Sequence, residues 1–315
     1  ALASDLKSAK KSVSCALYGI DTALLSDLSY LYNSAAMNIT VNVITDKKAK
    51  VPEVFLSNKQ AGGFVSRGSS RGIMHNKYCI IDSARIMTGS FNPTAASKGD
   101  YNNLLMINST ALASFYDRDF EKLKFSSKET QVVQSMTGPS RPLSTWETPT
   151  TAAVANKEPK LKTAILNTTA VEIYFCPEDG CAEAVMEELR KASSSITFAA
   201  YSFTHPEIAN ELVLKASEGV AAAGVIEKST TGSKYSKHEA LAKNGVRVVL
   251  ESSKRLMHHK FFVIDNETVI TGSFNPTKNA DERNDENIIV IRNKEIAEGY
   301  AEEFNRIYGD SNVQK

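Results

Sequence analysis

The chain has 315 residues, 42% hydrophobic and 23% charged, the composition of an ordinary globular protein with a sizeable core and a length that suggests about two domains. Its 37 Lys and Arg against 36 Asp and Glu leave a net charge of +1, which excludes a strongly basic coat while leaving room for a local basic groove. No apolar run is long enough to span a bilayer.

In chain order, the sequence opens at Ala1 with neither a Met nor a charged-then-apolar leader, the pattern expected of a processed protein or an expressed fragment. Cys15 lies in the strand-like run Ser12 to Tyr18 and Cys79 in a second apolar run, so both are expected as buried thiols. From Ser126 to about Lys160 the text is rich in Thr and Ser with Pro139, Pro142, Pro149 and Pro159, and shows no period; it reads as a linker or crossover. It holds the single Trp, Trp146, expected as an anchoring contact.

Val171 to Cys176 then reads as the first strand of a second half. Cys176 and Cys181 flank Pro177 to Gly180 at a spacing that permits a local disulfide and offers no second ligand pair for zinc. Helical spacing follows over Ala182 to Ser193, a strand over Ile196 to Tyr201, and a helix from Pro206 to about Ser217, with Pro in its first turn. Ala221 to Glu227 is a strand, Lys234 to Lys243 a helix stopped by Gly245, and Val246 to Leu250, Lys260 to Ile264 and Thr268 to Thr271 are strands. Asn287 to Ile291 is a last strand before an amphipathic helix over Glu295 to Tyr308. Such alternation argues for a layered α/β unit. Asn-x-Ser/Thr sequons at Asn38, Asn108, Asn167 and Asn266, with the close Cys pair and the missing leader, lean toward a location outside the cytoplasm.

The chain repeats itself. Gly72 to Asp82 matches Arg255 to Asp265, with His258 standing 183 residues after His75. At the same offset, Thr88-Gly89-Ser90-Phe91-Asn92-Pro93-Thr94 matches Thr271-Gly272-Ser273-Phe274-Asn275-Pro276-Thr277 residue for residue, and Ser12 to Tyr18 parallels Ser195 to Tyr201. A shared offset over that length marks a duplication. The halves are expected at 1–125 and 161–315, joined by the 126–160 linker. The counterpart of Val171 to Cys176 would fall before Ala1, so either the natural chain starts earlier or something else fills that edge.

Each half carries His-x-Lys-x4-Asp-x6-Gly-Ser-x-Asn: His75, Lys77, Asp82, Gly89, Ser90 and Asn92, then His258, Lys260, Asp265, Gly272, Ser273 and Asn275. A His can attack phosphorus or donate a proton near neutral pH. A Lys two residues along a strand shares its face and can neutralise a non-bridging phosphate oxygen. Asn amides and Ser hydroxyls can donate to the same oxygens, and Gly permits a tight turn beside them. Together they form a cradle for a phosphoryl transition state.

On these residues the chain resembles the phospholipase D superfamily, whose signature is the paired His-Lys-Asp motif. The resemblance covers both halves. It implies two α/β/α sandwich halves about a pseudo-two-fold axis with one shared active site, a phosphohistidine intermediate, no metal and no other cofactor. Met257-His258-His259-Lys260-Phe261 and Tyr174 to Cys181 resemble the compact nuclease-like branch, where single-motif chains dimerise; with both motifs in one chain, a monomer is expected to be complete. The family also places a carboxylate or amide about eleven residues after the motif Asn, reaching across to the His of the other half. Glu286 and Asn102 stand there, so the resemblance pairs Glu286 with His75 and Asn102 with His258. A carboxylate on a ring N–H fixes the tautomer and raises basicity and an amide does so weakly, so with that pairing His75 is expected as nucleophile and His258 as general acid. Asp82 and Asp265 are expected as structural supports.

Arg71, Lys254 and Arg255 precede the motif strands and are grouped with Asn102 as substrate-binding candidates, with solvated charge as the equal alternative for the three cations; Lys47, Lys48 and Lys50 have the same two readings. His259 should face away from His258, and His205 and His238 are expected at a helix start and on the surface. The leading function is a nuclease acting on DNA or RNA, although no aromatic ladder for base stacking stands out. The alternative is a phospholipase D or phosphatidyl transferase acting on phospholipid head groups, which needs an apolar slot or membrane-facing loops. A binding module that lost catalysis is disfavoured by two intact motifs.

Overall fold

A computed structural model describes residues 2–21, 39–49, 64–68, 72–126, 129–132 and 162–313. Helix α1 (Leu2–Lys7) leads into β1 (Ser12–Leu17), β2 (Thr40–Asp46), β3 (Phe64–Gly68), β4 (Lys77–Ile81), β5 (Arg85–Gly89) and β6 (Leu104–Asn108), followed by α2 (Thr110–Ser126) and β7 (Glu129–Val132). The second half runs β8 (Lys162–Leu166), β9 (Thr169–Cys176), α3 (Cys181–Lys191), β10 (Ser195–Ala200), α4 (Pro206–Ser217), β11 (Ala221–Glu227), α5 (His238–Lys243) and β12 (Arg247–Glu251). It ends with β13 (Lys260–Ile264), β14 (Thr268–Gly272), α6 (Lys278–Glu282), β15 (Glu286–Arg292) and α7 (Lys294–Val313).

The strands form a seven-stranded sheet, β6-β5-β4-β1-β2-β3-β7, and an eight-stranded sheet, β12-β11-β10-β13-β14-β15-β9-β8. The repeat is visible in the pairing: β1 lies parallel to β2 and antiparallel to β4, as β10 lies parallel to β11 and antiparallel to β13. The motif strands β4 and β13 are central and buried along their whole length, which explains their unbroken apolar runs. One face of the second sheet is covered by α3, α4 and α5 and the other by α7. In the first half, α2 packs with Tyr78, Ile80 and Ile86, and the same cluster takes in Val171, Ile173 and Phe175 of β9. The halves thus share core as well as site. No helix among the described residues is long and apolar enough to cross a membrane.

Several expectations are corrected. Cys15 and Cys79 are bonded to each other rather than free; the β1–β4 register sets them directly opposite, where the second half sets Phe198 against Phe262. Cys176 and Cys181 form the local disulfide that their spacing permits, and that reading needs no correction. Residues 129–132, read as linker, form a strand antiparallel to β3. The hairpin β8–β9 adds two strands outside β15; among the described residues no counterpart lies outside β6, and the β9 face instead packs with α2. The helix expected over Lys234 to Lys243 begins only at His238, because Ser236 and Lys237 spend their N–H groups on the Ser233 and Phe203 carbonyls. Arg71, Lys50, Trp146 and the four linker prolines lie outside the described residues.

Candidate active site

The site is assembled by backbone pairing between halves. The His75 N–H donates to the Asp285 carbonyl at 2.9 Å and the Asp285 N–H to Ile73 at 3.0 Å. In pseudo-symmetric fashion, the His258 N–H donates to Tyr101 at 3.0 Å and the Tyr101 N–H to Leu256 at 2.9 Å. Each of these bridges is immediately followed by the residue that meets the opposite histidine. Glu286 Oε2 accepts from His75 Nδ1 at 2.8 Å. Asn102 Oδ1 lies 3.0 Å from His258 Nδ1, while its Nδ2 donates to the Ser97 carbonyl at 3.1 Å. That second bond orients the amide, so Asn102 oxygen accepts a His258 Nδ1–H. Both rings then present Nε2 as the atom left for chemistry.

Glu286 is fully buried and well held. Its Oε2 also accepts from Ser273 Oγ at 2.6 Å and its Oε1 from Asn284 Nδ2 at 3.1 Å. Burial raises its pKa, yet His75, Lys77 and Ser273 hold it below the usual carboxylate range. Burial pushes His75 down, with Glu286 opposing and Lys77 reinforcing. His258, with an amide in place of a carboxylate, is driven down by burial, Lys260, Lys77 and His75. Burial holds Lys77 down to about 7 against the pull of Glu286, and burial with Lys77 carries Lys260 well below its usual range. Four basic groups therefore repel one another around a carboxylate, a field that an anion would relieve.

The lysines are fixed as well as charged. Lys77 Nζ donates to the His75 carbonyl and Lys260 Nζ to the His258 carbonyl, both at 2.7 Å. Each ammonium lies 5.3 Å from a tyrosine centroid, Tyr18 for Lys77 and Tyr201 for Lys260. The same rings flank the histidines, Tyr18 at 4.9 Å from His75 and Tyr201 at 5.1 Å from His258. Asn92 and Asn275 each carry a buried amide oxygen with no hydrogen-bond partner; that oxygen is an acceptor, so a phosphate oxygen would be met by the Nδ2–H of the same amide.

Some expected roles change. Ser90 and Ser273 are fully buried and turn their hydroxyls onto Asn102 (3.4 Å) and Glu286 (2.6 Å) rather than toward a phosphate. Asn102 likewise meets a histidine rather than being laid out for substrate. Gly89 and Gly272 allow the close approach behind these serines: a Cβ would come within 2.4 Å of the Asn103 carbonyl oxygen and 2.1 Å of that of Asn287. Asp82 and Asp265 sit at the far ends of the motif strands. Asp82 Oδ1 accepts from Lys11 and Ser12 N–H at 2.7 and 3.0 Å; Asp265 accepts from the N–H groups of Ser193, Ser194 and Ser195, each at 2.8 Å. Lys254 and Arg255 are exposed, and the Arg255 guanidinium lies 5.9 Å from the Tyr101 centroid. His259 is buried between Asn103 (3.4 Å) and Glu303 (3.0 Å).

Sequence reasoning missed a cross-half lock. Asn287 Nδ2 donates to Thr88 Oγ1 at 2.8 Å and Tyr116 OH at 3.2 Å. Asn103 Nδ2 donates to Thr271 Oγ1 at 2.7 Å and Tyr300 OH at 2.8 Å. The signal was the Asn that follows the histidine-backing residue in both halves. Beside Asn275 a cleft of about 740 Å³ opens, lined by residues of the second half that include Ser202, Thr204, Tyr235, Lys237 and Lys278.

The family described as "Cardiolipin synthase, PLD-like domain" matches residues 2–124 and again 185–308. The phospholipase D of Rickettsia conorii is 33% identical over 139 residues, covering 44% of this chain and 70% of that protein. The mitochondrial cardiolipin hydrolase of Xenopus tropicalis is 32% identical over 120 residues, 38% of this chain and 57% of that one. Among solved structures, the phosphatidylserine synthase of Haemophilus influenzae Rd KW20 shares the fold across 97% of this chain and 83% of its own, with a TM-score of 0.71 at 12% identity. Matched once by each half and carrying both His-Lys-Asp sets, the chain belongs to the phospholipase D superfamily and is a phosphodiesterase of that family.

Proposed function

We propose that the chain is a nuclease that hydrolyses DNA or RNA phosphodiesters without a metal, through a phosphohistidine on His75. The observation that carries the mechanism is the unequal backing of the two histidines, a buried carboxylate on His75 and an amide on His258. His75 Nε2 donates its lone pair to phosphorus, and the bond from phosphorus to the leaving oxygen breaks. That oxygen takes the Nε2 proton of His258. Glu286 stabilises the imidazolium so formed. Water then attacks phosphorus and gives a proton to His258 Nε2, and the bond to His75 breaks, restoring the enzyme. Lys77, Lys260, Asn92 and Asn275 neutralise or donate to the non-bridging oxygens. The substrate anion offsets the mutual repulsion of these groups and returns His258 to the protonated form that the step needs.

Nucleic acid is favoured by the hydroxyl-, amide- and lysine-bearing cleft beside Asn275. Hydrolysis of phospholipid head groups is the second reading, favoured by the relatives named phospholipase D and cardiolipin hydrolase. The test is cleavage of labelled single- and double-stranded DNA and RNA in excess EDTA, with acid-labile phosphoenzyme trapped in His75→Asn and His258→Asn variants. Cutting in EDTA, with phosphoenzyme accumulating only where His75 is present, supports the proposal. Phosphoenzyme in the His75→Asn variant overturns the nucleophile assignment; cleavage of phospholipid but of no nucleic acid overturns the substrate.

A further inference from the structure

Resting on the nuclease reading, we propose that the cleft beside Asn275 binds the nucleic-acid strand on the leaving-group side of the scissile phosphate. Tyr235 is its base-stacking platform, and Lys237 and Lys278 are its contacts to neighbouring phosphates.

The position follows from the site. In-line displacement sets the leaving oxygen opposite the nucleophile, so with His75 attacking, the departing segment lies toward His258. Tyr201 packs on the His258 ring with centroids 5.1 Å apart, and the next residue, Ser202, already lines the cleft. Asn275 lines it too. The cleft is thus lined by the residue that follows Tyr201 and by the motif Asn275, and its other lining residues belong to the second half.

The chemistry follows from the lining. Tyr235 is 62% exposed, so its ring is open to contact, and Lys234 Nζ lies 5.0 Å from its centroid. A ring of this kind offers any base a face, and the adjoining cation strengthens the contact. Lys278 is held at 3.3 Å by Glu207, both about half exposed. Such a pair is weak in water and readily exchanged for a phosphate.

The duplication supplies an internal control. At the offset of 183 that relates the motifs, Ser202, Thr204, Lys278 and Asn279 correspond to Gly19, Asp21, Ala95 and Ala96. Asp21 turns its carboxylate onto the Ala95 N–H. At these four positions the second half carries two hydroxyls, an ammonium and an amide where the first carries no side chain, a carboxylate and two methyl groups.

The experiment compares the full chain with Tyr235→Ala and with Lys237→Ala/Lys278→Ala on a single-stranded oligonucleotide and on bis(p-nitrophenyl) phosphate, a small diester with neither a base nor a neighbouring phosphate. The expected result is a fall of at least about five-fold in the oligonucleotide-to-small-diester ratio of kcat/KM for each variant, the loss of about one stacked base or its equivalent in phosphate contacts. Shortening the fragment released as the alcohol to a single nucleotide should abolish this difference, while shortening the phosphoryl-bearing fragment preserves it. An unchanged ratio overturns the cleft assignment and leaves the nuclease reading standing. Dependence on the phosphoryl-bearing side overturns the orientation. Turnover of the small diester with no cleavage of any oligonucleotide overturns both readings.

Discussion

Replacing Glu286 by Gln isolates charge from shape at the proposed nucleophile. Glu286 Oε2 receives His75 Nδ1 at 2.8 Å and Ser273 Oγ at 2.6 Å, while Oε1 receives the Asn284 amide. Gln keeps the volume but loses the anion, and whichever way its amide turns, an NH2 meets a donor. Removing a unit charge about 4 Å from the imidazolium at an effective dielectric near 20 costs about 4 kcal/mol as an upper bound, and downgrading a charge-assisted bond costs at least about 1 kcal/mol. Phosphoenzyme formation should therefore slow by roughly 10- to 1,000-fold. Asn102→Ala removes the bond that an uncharged amide accepts from protonated His258, with no buried charge lost, and should slow the same step by roughly ten-fold, less than Glu286→Gln does. Rapid-quench single-turnover reactions with a labelled oligonucleotide measure both. If Asn102→Ala slows phosphoenzyme formation as much as Glu286→Gln does, or if the label lies on His258, unequal backing does not choose the nucleophile.

Three further outcomes are expected. Tungstate, a phosphate mimic, should bind more weakly as pH rises through about 7, with proton uptake, because burial holds Lys77 at about 7 in the empty site and an anion raises it again; calorimetry in buffers of different ionisation enthalpy that shows proton release would contradict this. Cys15→Ala/Cys79→Ala should lower Tm more than Cys176→Ala/Cys181→Ala, since bridges over separations of 64 and 5 residues stabilise by about 4 and about 2 kcal/mol on chain entropy; calorimetric scans giving the reverse order would count against the loop argument. Asp265→Asn should lower Tm at neutral pH. Burial raises the Asp265 pKa, but the Ser193, Ser194 and Ser195 amides outweigh it and hold the folded-state pKa below the ordinary value. That contribution is present above the unfolded pKa of about 3.9 and is lost as pH falls through the folded one, so the deficit should shrink in acid; a deficit constant with pH would sink the explanation.

Local chemistry made much of this legible. Pro206 to Ser217, Ala221 to Glu227 and Lys260 to Ile264 have their structural boundaries in the sequence because Pro, apolar period and buried run each act locally. The duplicated motif marked His75 and His258 before any contact was known. What stayed hidden depends on partners remote in sequence. Cys79 could be matched to Cys15 only through the β1–β4 register. Glu129–Val132 and Lys162–Leu166 are short outer strands whose pairing, rather than composition, defines them. Ser273 could be read as a phosphate donor because its hydroxyl has two uses, and only burial beside Glu286 decides between them. Asn103 and Asn287 bond across the interface between halves, which no local period encodes.

The Glu286/Asn102 inequality carries a consequence for how such an enzyme can specialise. In a symmetric pair of identical chains every substitution is written twice, so a change that favours one histidine favours its twin. Two copies in tandem lift that restriction: one half can drift toward attack and the other toward proton transfer, each by a single codon. A molecule with distinguishable halves also has a front and a back. On the proposed chemistry, a substrate strand with its own direction would thread it one way round, with the same histidine always on the attacking side, whereas in a symmetric pair the two ways round are equivalent and the histidines exchange roles.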